Sequence, residues 1–125
     1  GAEFEKGYWL KPTIFADVSL QMRIAKYEIF GPVLSVFRWK DLDETVEAMN
    51  SVDYGLTAAV WTNDISLALK TANRIKSGHI WINGVSNRFR GVPYGGFKNS
   101  GVGRDSGSEE LLSYMEEKSI NVMMQ

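Results

Sequence analysis

The 125 residues, 44% hydrophobic and 23% charged, suffice for one ordinary folded domain with its own core. With 14 Lys and Arg against 15 Asp and Glu, the formal charge of -1 offers no general field for nucleic acid or an anionic membrane. The absence of cysteine excludes disulfides, thiolate metal sites and a cysteine nucleophile within the chain.

No apolar run approaches the roughly 20 residues of a membrane helix, and the opening GAEFEKGYW lacks the basic-then-apolar order of a signal peptide. A soluble, cytoplasmic protein is expected, and the missing initiator Met points to a tag scar or to a piece of something longer. GYWLKPTIF reads as a strand interrupted at Pro12, hence an edge strand. YEIFGP (Tyr27 to Pro32) places the Glu28 carboxylate two residues before Phe30 and then breaks the chain with Gly-Pro. Glu28 has two readings here: a solvated charge at a turn, or an acceptor for two vicinal hydroxyls such as those of a ribose, with Phe30 beside a flat ring.

From residue 33 onward, short apolar runs alternate with helix-like segments of about 10 to 15 residues, a βαβ rhythm. The runs are VLSVF (Val33 to Phe37), TAAVW (Thr57 to Trp61) and HIWI (His79 to Ile82); each is short and continuous, as buried parallel strands are. Asp41 is positioned to cap a helix with Glu44 at its third residue and Leu42, Val46 and Met49 on one face. Asp64 is positioned to cap a second, with Ile65, Leu69, Ala72 and Ile75 inward, basic residues in its C-terminal half and Gly78 as its stop. Residues 83–107 form a glycine-rich stretch with no hydrophobic period, and so long a loop in a compact domain is usually functional or disordered. Ser106, Ser108, Glu109 and Glu110 announce a last helix with Leu111, Leu112 and Met115, and the tail SINVMMQ alternates as a strand would.

The expected fold is therefore α/β: a parallel three-stranded βαβαβ core, its crossovers right-handed, with flanking N-terminal and C-terminal strands. So small a sheet would leave open edges, as an incomplete sheet does. The glycine-rich loop leaves a strand's carboxyl end, where such sheets bind ligands.

Several chemistries fail on spacing. Gly101-Val-Gly103 meets Ser106 where a dinucleotide fingerprint needs glycine, and Lys98 follows Phe97 instead of a P-loop glycine. The loop interleaves Arg88, Arg90, Lys98 and Arg104 with Phe89, Tyr94 and Phe97, but RGVPYGGF matches the RNA-binding octapeptide only at its edges, so no nucleic-acid partner is expected. His79, the sole histidine, opens an apolar strand; without a second His or any Cys no metal site is expected. No serine elbow follows a strand.

EIFGPV (Glu28 to Val33), YGLTAAVWT (Tyr54 to Thr62), IKSGHIWING (Ile75 to Gly84) and PYGGFKNSGVGRD (Pro93 to Asp105) resemble, in order and spacing, the C-terminal part of the NAD(P)-dependent aldehyde dehydrogenase superfamily. The resemblance implies a parent enzyme that oxidises an aldehyde to a carboxylic acid through a cysteine thiohemiacetal, hydride transfer to NAD or NADP, and thioester hydrolysis. It implies that residues 1–118 are the C-terminal portion of the catalytic domain and residues 119–125 an oligomerisation strand pairing subunits of a homo-oligomer. Glu28 then matches the glutamate on the nicotinamide ribose, Phe30 the ring that positions the nicotinamide, and Leu56 a further nicotinamide contact. Asn83 and the loop to Tyr94 line the region around the catalytic cysteine, so Arg88, Phe89 and Tyr94 help shape the aldehyde pocket.

Two departures qualify the likeness. Tyr27 stands where the family often has a second acidic residue, and no cysteine is present, so no catalytic residue is expected in this chain. The nucleophile, its general base and the dinucleotide-binding domain are expected upstream, and the chain alone is expected neither to bind the cofactor nor to act. The alternative is a non-catalytic interaction module, an old dehydrogenase half that pairs with another chain through its open sheet edge and tail.

Overall fold

Proline has no N–H to give a ladder, so it sits comfortably just before a strand. Both strands of the first sheet follow this rule: β1 (Thr13–Phe15) begins after Pro12 and β2 (Val33–Ser35) after Pro32. They pair in parallel, with Thr13 opposite Val33 and Phe15 opposite Ser35. Thr13 N–H donates to the Pro32 carbonyl at 2.9 Å and Val36 N–H to Phe15 at 2.8 Å, which extends the pairing at both ends. The N-terminal strand is thus not interrupted by Pro12 but starts beyond it, and Tyr8, Trp9 and Leu10 are exposed.

The computed structural model describes residues 6–124, and the chain divides into two units, Gly1–Ala48 and Met49–Gln125. In the first, a single 3-10 turn (Arg23–Ala25) leads into the Tyr27–Pro32 segment. The helix α1 (Leu42–Asn50) starts where Asp41 Oδ1 accepts the Glu44 N–H at 2.9 Å, the expected cap. Val46 is its buried residue, while Leu42 is half-buried and Met49 exposed.

In the second unit, β4 (Thr57–Val60) and β5 (His79–Ile82) pair in parallel through α2 (Ile65–Arg74). Asp64 caps α2 by accepting the Leu67 N–H at 3.0 Å. Its buried face is only partly the expected one: Ile75 at its C-terminal cap is buried as expected and Ala72 half-buried, but Ala68 and Thr71 are buried where Ile65 and Leu69 were expected, and these two are exposed. Small residues allow the helix to lie close on β4, and that closeness selects the inward face over side-chain size. Asn50 closes the far end of α2, its Nδ2 donating to the Arg74 carbonyl at 2.8 Å and its Oδ1 accepting the Lys76 N–H at 2.7 Å.

Among the described residues the expected three-stranded parallel core is not formed. β2 pairs with β1, β4 with β5, and a short antiparallel pair joins β3 (Tyr54–Gly55) to β6 (Phe97–Lys98), so every sheet among the described residues has two strands. Hydrophobic periodicity identifies a strand but not its neighbour; the ladder hydrogen bonds that decide this run elsewhere. The C-terminal strand is likewise absent among the described residues: after α3 (Ser108–Ser113), residues 115–124 carry no ladder, because the tail finds no strand partner in the chain. No helix among the described residues is long and apolar enough to cross a membrane.

Gly78, expected as a helix stop, has a different task. A Cβ there would fall 1.8 Å from the Gly95 carbonyl oxygen, so its missing side chain lets the glycine-rich loop lie directly on the start of β5.

Candidate functional site

Each unit carries its own group of candidate residues. In the first, the 3-10 turn and the start of β2 bracket an open groove of about 440 Å³, lined among others by Ile24, Tyr27, Glu28, Phe30 and Ser35. Arg23 lies over the Tyr27 ring at 4.5 Å and holds the near side of that turn. Phe30 has φ +55°, in the left-handed region that a bulky residue enters only at a cost of about 1–2 kcal/mol. Its ring is 91% exposed, so no packing inside the chain compensates that cost. A bulky ring on strained backbone facing solvent is the mark of a surface shaped for contact.

Glu28 is exposed and, among the described residues, accepts no hydrogen bond and meets no cation. Its two oxygens therefore keep their full acceptor capacity. An acceptor-only carboxylate beside an open aromatic face fits the hydroxyls and flat ring of a nicotinamide riboside; it does not fit a phosphate, which it would repel.

In the second unit, the period of two along β5 puts His79 and Trp81 on one face. Their ring centroids are 4.7 Å apart, edge to face, and His79 also meets Tyr94 at 5.3 Å. Tyr94 is held by paired backbone hydrogen bonds with Asp105, at 2.9 and 2.7 Å. Over its ring lies the Arg88 guanidinium, 3.7 Å from the centroid. Trp81 Nε1–H donates to the Asn87 carbonyl at 2.7 Å, which ties the loop to β5 one residue before Arg88.

Asn83, at φ +53°, exchanges two side-chain hydrogen bonds with the Thr62 backbone, both 2.9 Å, and so locks the end of β5 to the end of β4. Leu56 and Phe89 are exposed, and neither joins the ring cluster. Thus Arg88 and Tyr94 come together as a pair, Phe89 stands apart from them, and Glu28 and Phe30 share one groove.

Two of the loop's other cations, Lys98 and Arg104, have structural work. Lys98 Nζ donates to the Asn50, Val52 and Tyr54 carbonyls at 2.9, 2.7 and 3.4 Å. Arg104 Nη1 donates to the Gly96 and Gly103 carbonyls at 3.0 and 2.7 Å. Sequence reasoning missed the place of His79 and Trp81 under Tyr94; the alternation within HIWI was the available signal.

The family described as "Aldehyde dehydrogenase family" matches residues 1–120. An aldehyde dehydrogenase of Talaromyces stipitatus is 46% identical over 122 residues, covering 98% of this chain and 24% of its own length. Retinaldehyde dehydrogenase 3 of Homo sapiens is 45% identical over 96% of this chain and 23% of its own length. Among solved structures, the NAD+ complex of an aldehyde dehydrogenase from Bacillus cereus superposes with a TM-score of 0.87 at 44% identity, covering 98% of this chain and 25% of that one. The Mycobacterium tuberculosis aldehyde dehydrogenase complexed with NAD+ gives 0.84 at 38% identity, covering 94% and 24%. The chain spans about a quarter of the length of the relatives it matches.

Proposed function

The chain belongs to the aldehyde dehydrogenase family, and from that premise we propose that it is the C-terminal part of the catalytic domain of an NAD(P)-dependent enzyme oxidising an aldehyde to a carboxylic acid. The observation that carries the proposal is the likeness over 98% of the chain to an enzyme solved with NAD+. The exposed, unpaired Glu28 carboxylate and the strained, outward Phe30 ring support it, since neither serves the fold.

In this reading Glu28 accepts hydrogen bonds from the nicotinamide ribose hydroxyls and Phe30 fixes the plane of the ring. Leu56 adds an apolar contact to the nicotinamide. Arg88, Phe89 and Tyr94 belong to the aldehyde pocket, with Asn83 anchoring their loop. The nicotinamide, when bound, supplies the hydride acceptor. A thiol nucleophile has to come from outside these 125 residues, which contain no cysteine. The chain alone is accordingly inactive, and the exposed tail with Ile120, Val122 and Met124 is free to pair with another subunit.

Glu28→Gln in the full-length enzyme tests this. Losing one charge-assisted acceptor is expected to raise the cofactor KM about tenfold, with the melting temperature retained because Glu28 is exposed and makes no hydrogen bond or ion pair among the described residues. Unchanged cofactor KM and kcat would overturn the assignment. The chain by itself, given NAD or NADP and a panel of aldehydes, is expected to produce no reduced nicotinamide.

A further inference from the structure

We propose that Arg88 selects aldehydes carrying an anionic group at the end opposite the carbonyl. The inference rests on the reading above, in which the segment from Asn83 to Tyr94 borders the aldehyde pocket.

Arg88 differs from Lys98 and Arg104 in what it has left to give. Lys98 and Arg104 spend donors on backbone carbonyls, whereas Arg88, among the described residues, donates no hydrogen bond and pairs with no carboxylate. It is nevertheless not a loose surface charge. A guanidinium carbon 3.7 Å from a ring centroid is too close for an N–H to point at the ring, so the group lies flat on the Tyr94 face. Stacking of this kind uses the face of the guanidinium and leaves its in-plane N–H donors directed outward.

The platform beneath is itself fixed. Tyr94 abuts His79, His79 abuts Trp81, and the Trp81 Nε1–H holds Asn87. A long side chain normally gives up rotamer freedom when it grips a ligand; here much of that freedom is already gone. Arg90, two residues on, has no ring or backbone anchor among the described residues. The result is a planar fork of donors, pre-oriented and without a counter-ion, which suits a carboxylate or a phosphate and disfavours a neutral chain end that would cover the charge without pairing it.

The test compares three aldehydes of similar length in the full-length enzyme: one ending in a carboxylate, one in a phosphate and one in the methyl ester of the first. The wild type is expected to favour at least one anionic aldehyde over the ester by about tenfold or more in kcat/KM. Whichever anion is preferred identifies the group the fork holds. Arg88→Gln is expected to erase most of that preference by raising KM for the anionic aldehyde, and added salt to weaken it in the wild type. Arg88→Lys, which keeps the charge but loses the fork, is expected to restore part of it, while Arg90→Gln leaves the preference in place. Rescue by Lys separates charge recognition from a structural role.

Equal kcat/KM for the ester and both anions in the wild type would overturn this inference alone. So would an Arg88→Gln enzyme that keeps the preference. An enzyme oxidising none of the three, nor any simple aldehyde, would overturn the proposed function and this inference with it.

Discussion

Gly78→Ala is the sharpest perturbation of the fold. The new Cβ would stand 1.8 Å from the Gly95 carbonyl oxygen, 2.8 Å from the Gly95 carbonyl carbon and 3.1 Å from the Gly96 Cα. Ordinary contact begins near 3.4 Å, so the two segments must separate by about 1.6 Å. All three atoms are backbone, and no flexible side chain can swing away. Gly78 is also tied by its N–H to the Gly55 carbonyl at 3.0 Å, and the next residue's N–H to Leu56 at 3.2 Å, so yielding on that side breaks the start of β5.

Overpacking costs roughly 1–3 kcal/mol where side chains can adjust, and a backbone collision belongs at or above the upper figure, about 3 kcal/mol. For a unit of this size that lowers the melting temperature by about 12–24 °C. Gly103→Ala is the control, since a Cβ there meets nothing within 4 Å; it is expected to stay within about 0.5 kcal/mol of the wild type. Thermal unfolding of the two variants followed by circular dichroism decides the matter. Variants that melt together would refute the claim that the close approach of Gly78 to Gly95 shapes the loop.

Two further substitutions probe the remaining elements. Asp64→Ala removes the acceptor of the Leu67 N–H at the start of α2, and is expected to cost about 1 kcal/mol, measured by denaturant unfolding. Phe30→Gly exchanges a strained left-handed phenylalanine for the residue that adopts φ +55° freely; strain relief of about 1–2 kcal/mol offsets glycine's entropy of about 0.5–1 kcal/mol, leaving thermal stability nearly unchanged. The same variant of the full-length enzyme is expected to bind the cofactor less tightly, and a stability loss as large as a core phenylalanine's, about 3–5 kcal/mol, would show that the ring is packed after all.

What was legible in the sequence was local. Asp41 and Asp64 marked helix starts because a short carboxylate before an apolar run has one cheap use, the orphan N–H groups of the first turn. The runs at Thr57 and His79 gave β4 and β5 as parallel neighbours across a helix, as short apolar segments flanking α2 should. The inward face of α2 was misjudged in part, at Ile65 and Leu69, because hydrophobicity weighs side-chain size, whereas the small Ala68 and Thr71 are the residues buried there. The glycine-rich loop could be cleared of a phosphate cradle by spacing, but spacing gave no hint that Gly78 and Gly95 touch.

By itself, then, the sequence determined the α/β rhythm, the helix starts, the lack of a thiol and the motifs that carry the family. That β2 lies beside β1 and not beside β4, that Arg88 rests on Tyr94 while Lys98 and Arg104 are spent on carbonyls, and that Phe30 is held in a left-handed turn beside Glu28 were settled only in three dimensions. The division has a physical cause. Capping and periodicity act within a few residues, whereas ladder partners, ring stacking and backbone collisions join positions whose separation along the chain leaves no pattern to read.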